Sequence, residues 1–467
     1  MSFEKLDQLN RKLHAIGHAM AILGADEAIH MPPGGGKGRA DSLSSLAAMQ
    51  HEMASTPRIA DWIEKAQGEN LTADQKIGLE EFSRLFRQRT CLPPDLVRRK
   101  TATAMACEQL WRQARPEGDW KSLQPLLQDV IELAREEAGL RAAATGLAPY
   151  DALIDQYDPG STMAEIDPVF SRLKSFLTSF LPRALEAQKK RHADQPLKPL
   201  KGPFPVEKQR ALGLAAMEQL GFDFTHGRLD ISHHPFCGGV PTDVRMTTRY
   251  DTDSFIQGLM GTLHETGHAL YEQGLPRQQA HWPHNLARGM AMHESQSLFV
   301  EMQIVRSRPF WQWALPLLAR QLGSSAFEGW SVEDMLAHVN VIERGYIRVD
   351  ADEVTYPLHV ILRYELEQDL IDARLDARDL PEAWNAKMEE YLGLNTLDKV
   401  ADGPMQDVHW PAGLFGYFPS YTLGALMAAQ QWHAMERKIP DATDRISRGD
   451  FATINDWRRE NIWSRAS

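Results

Sequence analysis

The stretch FIQGLMGTLHETGHALYEQGLP, residues 255–276, decides how this chain is read. It reads as a helix from Phe255 to Gln273. Asp253 or Ser254 can cap its start, Gly274 stands where a left-handed terminator belongs, and Pro276 follows. His264 and His268 are four residues apart, so they share one helix face, one turn from each other. Two imidazoles so placed can chelate a single ion. Zinc suits neutral nitrogen ligands and tolerates an open coordination position. Glu265 is rotated by about 100° from His264, so it can reach a water at the ion without becoming a ligand. Gly267 costs a helix interior up to about 1 kcal/mol relative to alanine. Either something approaches the helix closely there or the glycine is merely tolerated.

A third ligand is required. Working outward, MAMHESQS (residues 290–297) is itself helix-like and carries Glu294. A second helix antiparallel to the first could bring its carboxylate to the ion, with His293 as the rival ligand. Two His and one Glu leave one position for water, the open arrangement of a catalytic centre rather than the closed one of a structural site. One ion per chain is expected. The stretch Arg288 to Met292 and Phe299 read as packing residues.

Helical signals dominate the remainder. Thr72 and Gln75 form a capping-box pattern ahead of the one-faced set Leu79, Phe82, Leu85 and Phe86. Leu123, Leu126, Leu127, Val130 and Ala134 repeat the spacing. Asp167-Pro168 reads as a helix start, with Leu173, Phe176, Leu177, Phe180 and Leu181 behind it. These stripes read as core. Three irregular segments interrupt them: HMPPGGGKG (30–38), the linker-like QPLKPLKGPFP (195–205), and the region from His226 to Tyr250. In the last, RLDIS (228–232) and DVRMTTRY (243–250) read as two short strands around the turn-rich HHPFCGGVP (233–241).

The 467 residues carry a net charge of -12, which argues against nucleic acid, since phosphate neutralisation needs a basic surface. With 43% hydrophobic and 24% charged residues, the composition is that of an ordinary globular protein. Cys91, Cys107 and Cys237 are too few for a disulfide framework, which points to a reducing compartment. The N-terminal stretch lacks the basic start and compact apolar run of a signal peptide, and no run of about 18 apolar residues occurs. A cytoplasmic location without membrane contact is expected.

Six motifs, in order, resemble the thermostable, Taq-type metallocarboxypeptidase family. They are His234-Pro235-Phe236 (HPF), Asp243 to Thr247 (DxRxT), His264 to His268 (HExxH), His293 to Gln296 (HES-Q), Ile347 to Asp352 (IRxxAD) and Gly403 to Trp410 (GxxQDxHW). The MPPGG stretch with Arg39 is also similar to that family. One departure is Ala25-Asp26, where the family usually has Trp-Asp. The resemblance covers essentially the whole chain. It implies a mainly α, saddle-like zincin fold with a deep central groove, related to the neurolysin type, and one small β-sheet near the active site. It implies one peptidase domain, residues 1–467, with two helical lobes and its catalytic motifs concentrated in 226–425. It also implies a homodimer that removes C-terminal residues with broad specificity.

Within the motifs, chemistry assigns candidates. A peptidase acting at a free C-terminus must bind a carboxylate, which arginine does best through two parallel charge-assisted hydrogen bonds. Arg348 and Arg245 are the candidates; their competing readings are ion pairs with Asp350 or Asp352, and with Asp243. The tetrahedral intermediate needs a donor, for which His409 and Tyr421 compete with Tyr417 in the stretch GYFPSYTLG (416–424). Asp407 could orient His409 if a turn joins them, and His234 helps shape the substrate site. The substrates expected are peptides with a free C-terminus, and cobalt or manganese could substitute for zinc. An oligopeptidase (endopeptidase) or aminopeptidase on a similar scaffold is the alternative, although an aminopeptidase needs acidic residues for a substrate ammonium where these motifs offer arginines. A non-catalytic helical binding protein would have no need of Glu265.

Overall fold

A computed structural model describes residues 1–232 and 235–466. It is predominantly helical, and a three-stranded sheet is the only sheet among the described residues. His234 lies outside the described residues.

Local signals build much of the helix content. The backbone N–H of Gln75 donates to Thr72 Oγ1 at 3.2 Å, and the N–H of Thr72 donates to Gln75 Oε1 at 3.0 Å. That reciprocal pair opens helix Ala73–Thr90, which buries Leu79 and Phe82. Helix Trp120–Thr145 buries Leu123, Leu127, Val130 and Ala134 along one stripe. Asp167-Pro168 does not start a helix. The helix runs Met163–Asp194 with Pro168 inside it, because its first N–H, on Met163, is taken by Asp151 Oδ1 at 2.6 Å. A partner twelve residues upstream leaves no local pattern.

The sheet also departs from expectation. β1 (Gly227–Ile231) pairs in parallel with β3 (Asp243–Thr248), and β2 (Cys237–Val240) pairs antiparallel with β3. β2 falls in the segment read as a turn; half glycine, it lacks the apolar alternation that signals a strand. Gly239 has φ +131°, and a Cβ there would fall 2.0 Å from the Asp243 carbonyl oxygen, so the tight return into β3 requires glycine. The alternation of β3 separates two faces. Val244 and Met246 are fully buried in one core cluster with Leu259 and Leu263 of helix Ile256–Gly274. Asp243 and Arg245 point the other way, where His18 of the N-terminal helix Ser2–Ile29 lies 3.2 Å from Asp243.

The chain divides into two compact units. The first comprises Met1–Arg89, Leu197–Val339 and the residues from Gly424 on; the second comprises Thr90–Pro196 and Asn340–Leu423. The first unit has its main core around Leu263, Tyr271, Phe299, Trp311 and Trp463. A smaller cluster centres on Trp282, against which Phe3 stacks at 4.8 Å. The second is organised on helix Tyr356–Ile371, which is buried nearly all round.

Candidate metal centre

Helix Ile256–Gly274 carries the HETGH segment, and no side chain caps its start. Gly274 remains helical rather than terminating it in the left-handed region. A Cβ on Gly274 would meet the Trp463 ring at 2.4 Å, so this glycine serves packing. Gly267 admits the close approach considered above: a Cβ there would lie 2.4 Å from Gln296 O and 2.5 Å from Ser297 Cα. Those atoms belong to helix Met290–Leu298, which carries HESQS. On its far side a Cβ on Gly424 would touch Glu294 Cβ at 2.8 Å. The second helix is anchored by buried polar groups. Gln296 Oε1 accepts from Trp463 Nε1 at 2.9 Å and from Arg458 Nη2 at 3.1 Å, and Gln296 Nε2 donates to Gln431 at 2.9 Å.

This packing brings His264, His268 and Glu294 together, each offering a ligand atom within 4.8 Å of the others. His268 Nε2 lies 3.5 Å from Glu294 Oε2. His293, the rival for the third position, is not in that group. Its imidazole lies on the opposite side of His268, with Nδ1 2.7 Å from His268 Nδ1 and Nε2 2.8 Å from Glu272 Oε1. His264 Nδ1 lies 2.9 Å from Glu301 Oε2, and the other Glu301 oxygen accepts from Arg306 at 2.8 Å. Glu301 sits in the π-helical turn Phe299–Val305 that continues the second helix.

The electrostatics suit a cation. Glu265, Glu294 and Glu301 crowd the two imidazoles. Burial opposes charging of His264, yet the Glu301 hydrogen bond and the nearby carboxylates push it up to about 10. Burial, reinforced by His293, drives His268 down to about 4. Burial opposes ionisation of Glu301, but His264 and Arg306 bring it down to about 2. Burial raises Glu265, and its repulsion from Glu294 adds to this. Two imidazole nitrogens and three carboxylates, all half-buried, fit a dication, whose charge would replace the proton on His264.

Arg245 is placed elsewhere. Its Nε and Nη2 donate to the two Asp243 oxygens at 2.9 and 3.1 Å, and it faces the N-terminal helix, away from the face that packs on the HETGH helix. It lines an apolar cavity of about 380 Å³ with Ala21, Ala25, Ala28 and Phe236. Ala25 of the departing Ala-Asp pair therefore borders open volume, while Asp26 is held by Arg39.

In the second unit, Arg348 is buried, and its partner is neither Asp350 nor Asp352. Its Nε and Nη2 donate to Asp407 Oδ1 at 3.1 and 2.8 Å, and Nη1 donates to the Tyr356 hydroxyl at 2.6 Å. Asp352 instead accepts the N–H groups of Val354 and Thr355. Asp407 also receives Arg363, with Nε at 2.7 Å. It thus binds two arginines and makes no hydrogen bond to His409. His409 Nε2 lies 3.3 Å from the Tyr421 hydroxyl, and its buried Nδ1 has no partner. The Tyr417 ring lies 5.5 Å from His409 and 5.4 Å from Tyr421.

Four polar residues were missed in the sequence. Glu301 is seven residues after Glu294, and Glu272 four after His268, both spacings that keep one helix face. Arg363 and Glu367 lie four apart in a helix whose apolar residues conceal them.

A helical protein with two histidines and a glutamate around one point, and a further glutamate inside HExxH, is a metallopeptidase. The sequence profile described as Carboxypeptidase Taq (M32) metallopeptidase matches residues 5–467, and the chain belongs to that family. It is similar to "Thermostable carboxypeptidase 1" of Thermus thermophilus, 39% identical over all of this chain and 92% of that protein. The protein of the same name from Pyrococcus furiosus is 34% identical over 97% of this chain and 90% of its own length. The solved structure of Trypanosoma cruzi metallocarboxypeptidase 1 superposes with a TM-score of 0.97 at 39% identity, covering 100% of this chain and 93% of that one. The chain is a metallocarboxypeptidase, a hydrolase of peptide bonds, and the oligopeptidase and aminopeptidase alternatives are not favoured.

Proposed function

We propose that this carboxypeptidase holds one zinc ion on His264, His268 and Glu294 and uses Glu265 as its general base on peptides with a free C-terminus. The observation that carries the reading is the convergence of those three ligand atoms beside a half-buried Glu265. Zinc, when bound, supplies a Lewis acid that lowers the pKa of water and polarises a carbonyl; cobalt or manganese could take its place. Glu265 takes a proton from the attacking water and passes it to the leaving amine. Its raised pKa brings it closer to the working pH of such a base.

In the second unit, two guanidinium groups face the single carboxylate of Asp407, which leaves surplus positive charge at Arg348. That supports Arg348 as the anchor for the substrate carboxylate. Arg245, paired with Asp243 on the face of the strand that looks toward the N-terminal helix, is the second candidate for that role. The unpartnered Nδ1 of His409 is cheapest to bury without a proton, so Nε2–H donates to the Tyr421 hydroxyl, and this pair supplies the candidate donors for the oxyanion. Burial, with Arg348 and Arg363 nearby, takes His409 down to about 4, so it is neutral at pH 7. Tyr417 shares the aromatic wall, and His234 belongs to the substrate site through its motif.

The reading takes the whole chain as one peptidase domain whose two units are its lobes. It adds a homodimer and a cytoplasmic location; no helix among the described residues is long and apolar enough to cross a membrane.

The test pairs peptides with free and amidated C-termini, with and without chelator. Cleavage of the free form alone, abolished by chelator and restored by zinc, is expected; equal cleavage of both forms defeats the reading. Glu265→Gln should keep stoichiometric zinc and lose nearly all turnover. Arg348→Gln should spare metal content and lower activity on free C-termini. Sedimentation should report a dimer.

A further inference from the structure

We infer that Glu272 and His293 are positioning residues, forming a hydrogen-bonded relay that holds His268 in the tautomer that presents Nε2 to the metal. The inference rests on the reading of His268 as a ligand.

Four distances carry it. His268 Nε2 faces Glu294 at 3.5 Å. His268 Nδ1 lies 3.1 Å from the His293 carbonyl oxygen and 2.7 Å from His293 Nδ1. His293 Nε2 lies 2.8 Å from Glu272 Oε1. A ligating Nε2 must present its lone pair, so the proton of neutral His268 sits on Nδ1. The 2.7 Å contact is then a hydrogen bond only if His293 Nδ1 accepts. An imidazole accepting at Nδ1 carries its own proton on Nε2, and that proton points at Glu272. Reversing any one link breaks the others. Were His293 the donor at Nδ1, His268 would have to accept there and hold its proton on Nε2, where it could not ligate.

The helix geometry explains why this falls to His293. Glu294 is the next residue, rotated by about 100°, so one side chain reaches the ligand group while the other passes behind His268. Glu272 is one turn beyond His268 on the HETGH helix and closes the chain from the same element. The two imidazoles are therefore supported differently. His264 meets a carboxylate directly, at 2.9 Å from Glu301. His268 meets one through an intervening ring, which passes the carboxylate's polarising effect one hydrogen bond further.

The test measures zinc affinity by competition with a chromophoric chelator, and the absorption spectrum of the cobalt-loaded protein, with thermal unfolding of the metal-free protein as the control for folding. Glu272→Met removes the acceptor and should weaken binding about tenfold to a hundredfold and shift the cobalt bands. Glu272→Gln keeps an acceptor oxygen and should remain within about threefold of the parent by the same measure. His293→Phe removes Nδ1 and keeps the carbonyl; it should match Glu272→Met and carries the same expectation should that variant not fold. The double variant should bind no more weakly than either single one. Parent-like affinity in Glu272→Met, equal losses in Gln and Met, or losses that multiply in the double variant would each overturn the relay. His268→Ala separates the two readings. If it keeps the parent's affinity, the ligand assignment fails. If it loses zinc while Glu272→Met does not, only the relay fails.

Discussion

At Gly267 there is room for a hydrogen and not for a methyl. The atoms a Cβ would strike, Gln296 O and Ser297 Cα, are backbone and cannot rotate aside. Alanine gains up to about 1 kcal/mol of helix propensity, but overpacking of this kind costs about 1–3 kcal/mol. Gly267→Ala should therefore lower the unfolding temperature and, by parting the two ligand helices, weaken metal binding. An unchanged melting point with parent-like affinity would show that the helices are free to separate. Glu301 acts at the same scale. Glu301→Leu removes the acceptor opposite His264 Nδ1 and should weaken metal binding about tenfold to a hundredfold, read by chelator competition.

Helix Tyr356–Ile371 shows what an element can do with polar residues inside a core. His359, Arg363 and Glu367 recur every four residues and are fully buried. Each holds a different piece of chain: His359 the Gly345 carbonyl, Arg363 Asp407, and Glu367 the Trp410 indole N–H and the Gly416 N–H of irregular segments together with the hydroxyl of Tyr150 in the short helix Pro149–Ile154. Burial pushes Glu367 up to about 7 despite those three donors. The folded protein thus keeps a proton that the unfolded chain releases above about 4.5. This contribution to stability is complete below that pH, is lost as pH rises through about 7, and is worth at most roughly 3 kcal/mol. Urea unfolding of the metal-free protein between pH 5 and 8 should show that decline, and Glu367→Gln should flatten it. Equal slopes in the two proteins would remove Glu367 as the cause.

For the whole molecule, the consequence of the site is linkage. The ligands stand on two helices 26 residues apart in the chain at His268 and Glu294, and the unfolded chain does not hold them together. An ion bound only by the folded state adds stability that grows with its free concentration, about 4 kcal/mol at a thousandfold excess over Kd. Chelation should lower the calorimetric unfolding temperature by several degrees, and added zinc should restore it. No shift would mean that the centre is empty in solution or equally occupied in the unfolded chain.

What the sequence alone determined is what depends on neighbours along the chain. Residues four apart on a helix share a face whatever surrounds them, so HETGH announces two imidazoles and a base. The Thr72–Gln75 capping box and the apolar stripes are legible for the same reason. Only the tertiary structure decided which groups face those residues from elsewhere. It turned Arg245 to the far side of β3, gave Arg348 to Asp407 rather than to Asp350 or Asp352, and made a strand of Cys237–Val240. It placed Glu301 and His293 behind the two histidines, and it gave Gly274 to Trp463. The Arg348–Asp407 ion pair and the close approaches at Gly267 and Gly274 join residues tens to hundreds of positions apart, and the pairing of Cys237–Val240 is set by backbone hydrogen bonds to the next strand; no local period encodes such partners.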